Sequence, residues 1–116
     1  MNRALYALGR LKTGAMNKTE AMYSAYLQSR MLDGTVSWFK FEGFKLRLAD
    51  STFLTPDFAV MLSDGRLQVH EVKGFFMEDA KVKIKVAAEL YPFQFFIIRA
   101  KTKKEGGGWS FEEVGT

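Results

Sequence analysis

Pro56-Asp57 is followed, one hairpin later, by Glu71-Val72-Lys73. Residues two apart on an extended strand point to the same face, so Glu71 and Lys73 share one. An antiparallel partner strand can bring Asp57 beside them. Two carboxylates next to an ammonium make an oxygen site for a hard cation with a proton-handling group attached. Mg²⁺ (or Mn²⁺) often keeps several waters, so Asp57 and Glu71 suffice as protein ligands, and the carbonyl of Val72 offers a third oxygen. The chemistry that suits such a set is phosphodiester hydrolysis. The cation neutralises the scissile phosphate and lowers the pKa of a bound water. Lys73 orients that water and stabilises charge developing on the phosphate.

The competing reading is an acid–lysine cluster on a solvated sheet, contributing about 0–1 kcal/mol. Two features favour chemistry. Asp57 lies after a proline and inside a strand, where aspartate is disfavoured. Glu71 and Lys73 end a strand that leads through Gly74 toward a helix, and open sheets place ligands outside such strand ends.

The elements that must position these residues are legible in the pattern. Asn17 is a good N-cap, and Glu20 three residues on completes a capping box. Tyr23, Leu27 and Met31 recur at helical spacing, and Gly34 after Asp33 is a stop. Trp38, Phe39 and Phe41 read as strand, as do Phe44, Leu46 and Leu48 alternating with Lys45 and Arg47; Gly43 marks a bulge in one long strand or a break between two. A second strand is predicted over about Phe53 to Leu62, then a two-residue hairpin at Asp64-Gly65, then a third strand over Arg66 to Lys73. Ala80, Ile84, Ala87 and Tyr91 form one stripe of a helix from about Glu78 to Tyr91, which Pro92 stops. Phe93 to Arg99 is almost wholly apolar, as expected of a strand covered on both faces, and forms a β-α-β unit with the preceding strand. Trp109 to Val114 reads as an edge strand. The order is α-β-β-β-α-β-β, an α/β (α+β) arrangement with a central mixed sheet flanked by helices.

Pro56-Asp57 and Glu71-Val72-Lys73-Gly74, in this order of elements, resemble the motif of the PD-(D/E)xK nuclease superfamily. The resemblance covers most of the chain: a helix bearing Glu20, the motif strands, a lysine-bearing helix and an apolar strand. It is closest to small bacteriophage and prophage endonucleases and more distant to the Holliday-junction resolvases of DNA recombination. It implies a restriction-endonuclease-like core and a Mg²⁺- or Mn²⁺-dependent endonuclease acting on DNA, structure-selective or junction-resolving. It also implies that Asp57 and Glu71 hold the metal and that Lys73 serves the attacking water. An acidic residue on the first helix often completes such sites, which implicates Glu20. A capping role explains Glu20 as well, and the spacing sets one role against the other. Small members often act as homodimers, because cutting two strands needs two sites; no stretch of this sequence marks an interface.

Other basic residues are candidate phosphate contacts. Lys81 and Lys85 share a helix face while Lys83 points elsewhere; the bland reading is a solvated helix. Lys101, Lys103 and Lys104 with Gly106 to Gly108 form a phosphate-binding loop or a solubilising turn. Arg3, Arg10 and Lys12 lie in a basic N-terminal arm or short helix over residues 1–16. Trp38, Phe39 and Phe41 can stack on bases, although a sheet core explains them too. His70 points to the face opposite Glu71 and is read as a packed or surface histidine.

Composition bounds the alternatives. The 116 residues suit one domain, and 47% hydrophobic and 15% aromatic content supports a packed core rather than disorder. The absence of cysteine excludes disulfides and thiolate sites, and a lone histidine argues against zinc. A net charge of +4 and a pI of about 9.4 permit a polyanionic partner without demanding one. No apolar run has the length of a membrane span and the start does not read as a signal peptide, so the expected location is the cytoplasm, that of the host if the chain is of phage origin. Two rivals stand beside the nuclease. One is a non-catalytic nucleic-acid-binding module of the same fold. The other is an interaction protein whose sheet carries an acid–lysine cluster.

Overall fold

This computed structural model describes residues 14–74 and 77–115. The arm with Arg3, Arg10 and Lys12 lies outside the described residues. Helix α1 spans Lys18–Leu32, and Asn17 caps it with the expected reciprocal box. Strands follow as β1 (Val36–Phe41), β2 (Leu46–Ala49), β3 (Thr52–Leu54), β4 (Phe58–Leu62) and β5 (Leu67–Val72). Helix α2 (Met77–Leu90), β6 (Gln94–Ala100) and β7 (Trp109–Val114) complete the chain.

Five strands form one mixed sheet in the order β1-β4-β5-β6-β7. β5 and β6 pair in parallel across the α2 crossover, and the remaining neighbours are antiparallel. β7 closes one edge, as its sequence indicates. The main-sheet strands and helices alone follow the order α-β-β-β-α-β-β.

Of the two alternatives at Gly43, the structure has the break: Trp38 to Leu48 is two strands in different sheets. The single strand expected over Phe53 to Leu62 is corrected, since it is likewise divided between the two sheets. The physical cause lies at Glu42-Gly43. Glu42 has a φ of 50°, and a Cβ on Gly43 would meet the Cβ atoms of Ala59 and Lys40 at 3.2 Å. The chain therefore turns sharply out of the main sheet, forms the separate β2–β3 hairpin, and re-enters through buried Pro56. The hairpin after β4 has a three-residue loop, not two. Gly65 N–H donates to the Leu62 carbonyl at 2.9 Å, and Gly65 itself takes a φ of 92°. That is a type I turn followed by a left-handed glycine, the commonest three-residue solution.

Side chains alternate across the sheet into two cores. Tyr23 and Leu27 of α1 pack with Phe58, Val60, Val72 and Ile98 on one face. Ile84 and Ala87 of α2 pack with Val69, Phe95, Ile97 and the β2–β3 leucines Leu46 and Leu54 on the other. Met31, the third member of the α1 stripe, remains exposed. Of the three β1 aromatics, Phe39 and Phe41 pack against Phe58 while Trp38 is exposed.

Candidate active site

Asp57 immediately precedes β4, and Glu71 lies near the end of β5. The register Phe58↔His70 sets Asp57 opposite Glu71. Side chains then bond across this end of the ladder. Asp57 N–H donates to Glu71 Oε1 at 2.9 Å, and Val72 N–H donates to Asp57 Oδ2 at 2.8 Å. Each carboxylate thus takes one backbone N–H from the opposing strand, which fixes both in place. Lys73 N–H donates to the Ile98 carbonyl at 2.7 Å, extending the parallel ladder by one residue. Val72 therefore turns its N–H and carbonyl away from β6, toward Asp57. Lys73 follows as an exposed side chain at the mouth of the site.

Electrostatics mark the pair. Burial pushes the Asp57 carboxyl well above the usual carboxylate range, and the nearby charges of Glu71 and Glu20 push it further; the Val72 hydrogen bond opposes them. Glu71 is only 8% exposed. Carboxylates crowded in a partly desolvated space retain a proton unless a cation compensates them.

Glu20 is the capping-box residue that its spacing indicates, and it also lies beside Asp57. Its Oε1 accepts the N–H of Asn17 at 2.9 Å, and Asn17 Oδ1 accepts the N–H of Glu20 at 2.8 Å. Its carboxyl is also near enough to Asp57 to raise the Asp57 pKa. The first turn of α1 holds both contacts because the cap lies beside the start of β4.

Among the described residues, no set of three or more His, Cys, Asp and Glu side chains is arranged to hold a metal ion. A hard cation with several waters needs only one or two carboxylates. The donor chemistry of Asp57 and Glu71, all oxygen and short of positive charge, fits Mg²⁺ or Mn²⁺ and not zinc.

The chain matches no protein-family model, no curated protein and no solved structure.

The remaining candidates are distributed over the same molecule. Glu71 pairs with Ile97, which pairs with Glu112, so one row crosses three strands on the α2 face. Lys81 and Lys85 of α2 face this row. With Glu89, Ile97, Glu112 and Glu113 they line a groove of about 340 Å³. Their charge is thus set against three carboxylates. Lys83 is exposed and does not line that groove. Lys103 is exposed in the turn between β6 and β7, at the end of the sheet where Lys73 lies.

His70 is buried in the α1-side core. Tyr23 Oη lies 2.7 Å from its Nδ1, and Gln68 Oε1 lies 2.9 Å from its Nε2. Gln68 Nε2 donates to Gln94 Oε1 at 3.1 Å, and Arg66 Nη1 donates to the same oxygen at 3.3 Å. The chain of donors orients the Gln68 amide so that its oxygen accepts from His70 Nε2–H, leaving Nδ1 to accept from Tyr23. Burial lowers the His70 pKa to about 4, so the ring is neutral.

Sequence reasoning missed Glu42. Its N–H donates to the Asp57 carbonyl at 2.7 Å, and its Oε1 accepts the N–H of Gly14 at 2.9 Å. It ties the segment leading into α1 to the strand carrying Asp57. The Glu-Gly corner after an aromatic strand was the available signal.

Proposed function

We propose that the chain is a metal-dependent DNA endonuclease of the PD-(D/E)xK type. The observation that carries this reading is the reciprocal clamp of Asp57 and Glu71 at the end of two paired strands, with Lys73 exposed beside it. A structural salt bridge would pair one acid with the lysine. Here two acids adjoin each other across the paired strands. Two carboxyl groups held together by backbone N–H groups are costly to ionise together, which a cation-binding role explains.

A Mg²⁺ or Mn²⁺ ion bound there would neutralise the scissile phosphate and make a bound water a better nucleophile. Asp57 and Glu71 would hold it, with the Val72 carbonyl directed to the same side of β5 and Glu20 adjoining Asp57. Lys73 orients the attacking water and stabilises negative charge on the phosphate. The attacking water gives up a proton to solvent as its oxygen bonds to phosphorus, the opposite P–O bond breaks, and the departing oxygen takes a proton from solvent.

The test is cleavage of plasmid and branched DNA in Mg²⁺ by the wild type beside Asp57→Asn and Lys73→Ala. Both variants should lose at least about 100-fold in rate. Equal cleavage by all three proteins would sink the assignment, and salt-sensitive DNA binding without cleavage would indicate the non-catalytic module.

A further inference from the structure

The turn between β6 and β7 carries Lys101, Lys103 and Lys104 and is closed by its own hydrogen bonds. Thr102 N–H donates to Glu105 Oε1 at 2.9 Å, and Glu105 N–H donates to Thr102 Oγ1 at 3.2 Å. This is the reciprocal arrangement of a capping box, here closed around one turn. Gly106 N–H and Gly107 N–H return to the carbonyls of Lys103 and Thr102, and Lys101 N–H donates to the Gly108 carbonyl. Gly106, Gly107 and Gly108 all have positive φ, at 100°, 69° and 75°. Three successive left-handed residues demand glycine.

Arg99 fastens the turn to the sheet through Nη1 and Nη2, at 3.1 and 2.8 Å from the two Glu105 carboxylate oxygens. That pair consumes the only acidic residue in the turn. What remains exposed is the charge of Lys103 and Lys104, neither of which joins an ion pair among the described residues. Lys103 and Lys104 occupy its exposed middle.

β5 and β6 are parallel, so Lys73 and this turn lie at the same end of the sheet. Glu71 pairs with Ile97, and Lys101 is four residues further along β6. At about 3.3 Å per residue the turn begins about 13 Å beyond the carboxylate row. That offset is close to the roughly 12 Å width of the DNA major groove. The lysines of α2 are less suited to this contact, because Glu89, Glu112 and Glu113 share their groove.

Resting on the nuclease reading, we infer that the Lys103-Lys104 turn is a preformed clamp for the second backbone of duplex DNA whose first strand lies at Asp57 and Glu71. The substrate class is then double-stranded, and the turn is a positioning element rather than part of the chemistry.

The experiment is fluorescence anisotropy of the full chain in EDTA, with a duplex of about 20 base pairs and with one of its strands alone, over a range of salt concentrations. Lys103→Ala/Lys104→Ala should reduce the duplex salt slope by about 2, since each phosphate contact contributes about 0.9. It should weaken duplex binding at least several-fold while changing single-strand binding less than about two-fold. Lys81→Ala/Lys85→Ala should reduce the slope less. An unchanged duplex slope, or equal losses on duplex and single strand, overturns the inference. A slope lost as expected in a protein that never cleaves DNA would remove the nuclease reading and leave the clamp standing. Cleavage by the wild type with an unchanged slope in the turn variant would remove the clamp alone.

Discussion

Asp57 and Glu71 hold each other across the open end of a hairpin: the Asp57 N–H bonds the Glu71 carboxylate at 2.9 Å while the Asp57 carboxylate bonds the next N–H of the same strand, that of Val72, at 2.8 Å. Glu71 is thereby both an acid of the site and part of the strand pairing that builds it. Glu71→Ala leaves a half-buried N–H without its acceptor and should cost about 1 kcal/mol of stability. Glu71→Gln retains an acceptor oxygen and should cost less than half of that, while losing metal-dependent cleavage as fully as the alanine variant. Urea unfolding midpoints beside cleavage rates separate the two contributions.

Metal binding should release protons. The Asp57 pKa is raised above its unfolded value, so without metal its contribution to stability is fully present below the ordinary carboxylate range and is lost as pH rises through the raised value. A cation needs the ionised form and must displace that proton. Titration calorimetry with Mn²⁺ near pH 7, in two buffers of different ionisation enthalpy, should show close to one proton released. Asp57→Asn should abolish the buffer dependence. The same enthalpy in both buffers for the wild type would contradict a protonated Asp57.

The observed capping role of Glu20 and its proposed role at the metal site can be separated by substitution. Asn17→Ala removes the acceptor for the Glu20 N–H and should cost about 1 kcal/mol without altering Mn²⁺ affinity. Glu20→Gln keeps an oxygen to accept the Asn17 N–H and should hold stability within about 0.5 kcal/mol, yet shift Mn²⁺ affinity. If both variants lower the melting temperature alike and leave the affinity untouched, Glu20 is a cap only.

His70 should make the fold acid-sensitive. Its folded pKa of about 4 lies below the ordinary value of 6.5, so the unfolded chain binds the proton first. Its contribution to stability is complete above about pH 7 and falls as pH drops from 6.5 toward 4, by on the order of 3 kcal/mol. Asp57 titrates in the opposite sense across part of this window, so the measurement is the difference between wild type and His70→Gln. That difference should shrink as pH falls from 7 to 4.5. Tyr23→Phe removes the donor to Nδ1 and should cost about 1–3 kcal/mol at pH 7.

Much of this was set by local chemistry. Asn17 and Glu20 specify the start of α1 through a four-residue hydrogen-bond exchange that needs no tertiary partner. Asp64-Gly65 specifies a reversal, because Gly65 accepts a left-handed backbone at little cost. Alternation and the apolar run of β6 identify strands and the faces they bury, and the β-α-β spacing brings the ends of β5 and β6 together. That was enough to collect Asp57, Glu71 and Lys73 at one end of a sheet.

What the sequence could not decide depended on residues distant along the chain. Nothing local says that the chain leaves the sheet at Glu42 for a separate hairpin, since the left-handed backbone there is held by the bond from its N–H to the distant Asp57 carbonyl. Nothing local sets Lys81 and Lys85 against Glu112 and Glu113, or joins His70 to Tyr23 across 47 residues. Glu20 reads as a cap because capping is a local event. Its place beside Asp57 exists only once α1 has docked on the sheet, when burial and neighbouring charge make two ordinary carboxylates an unusual pair.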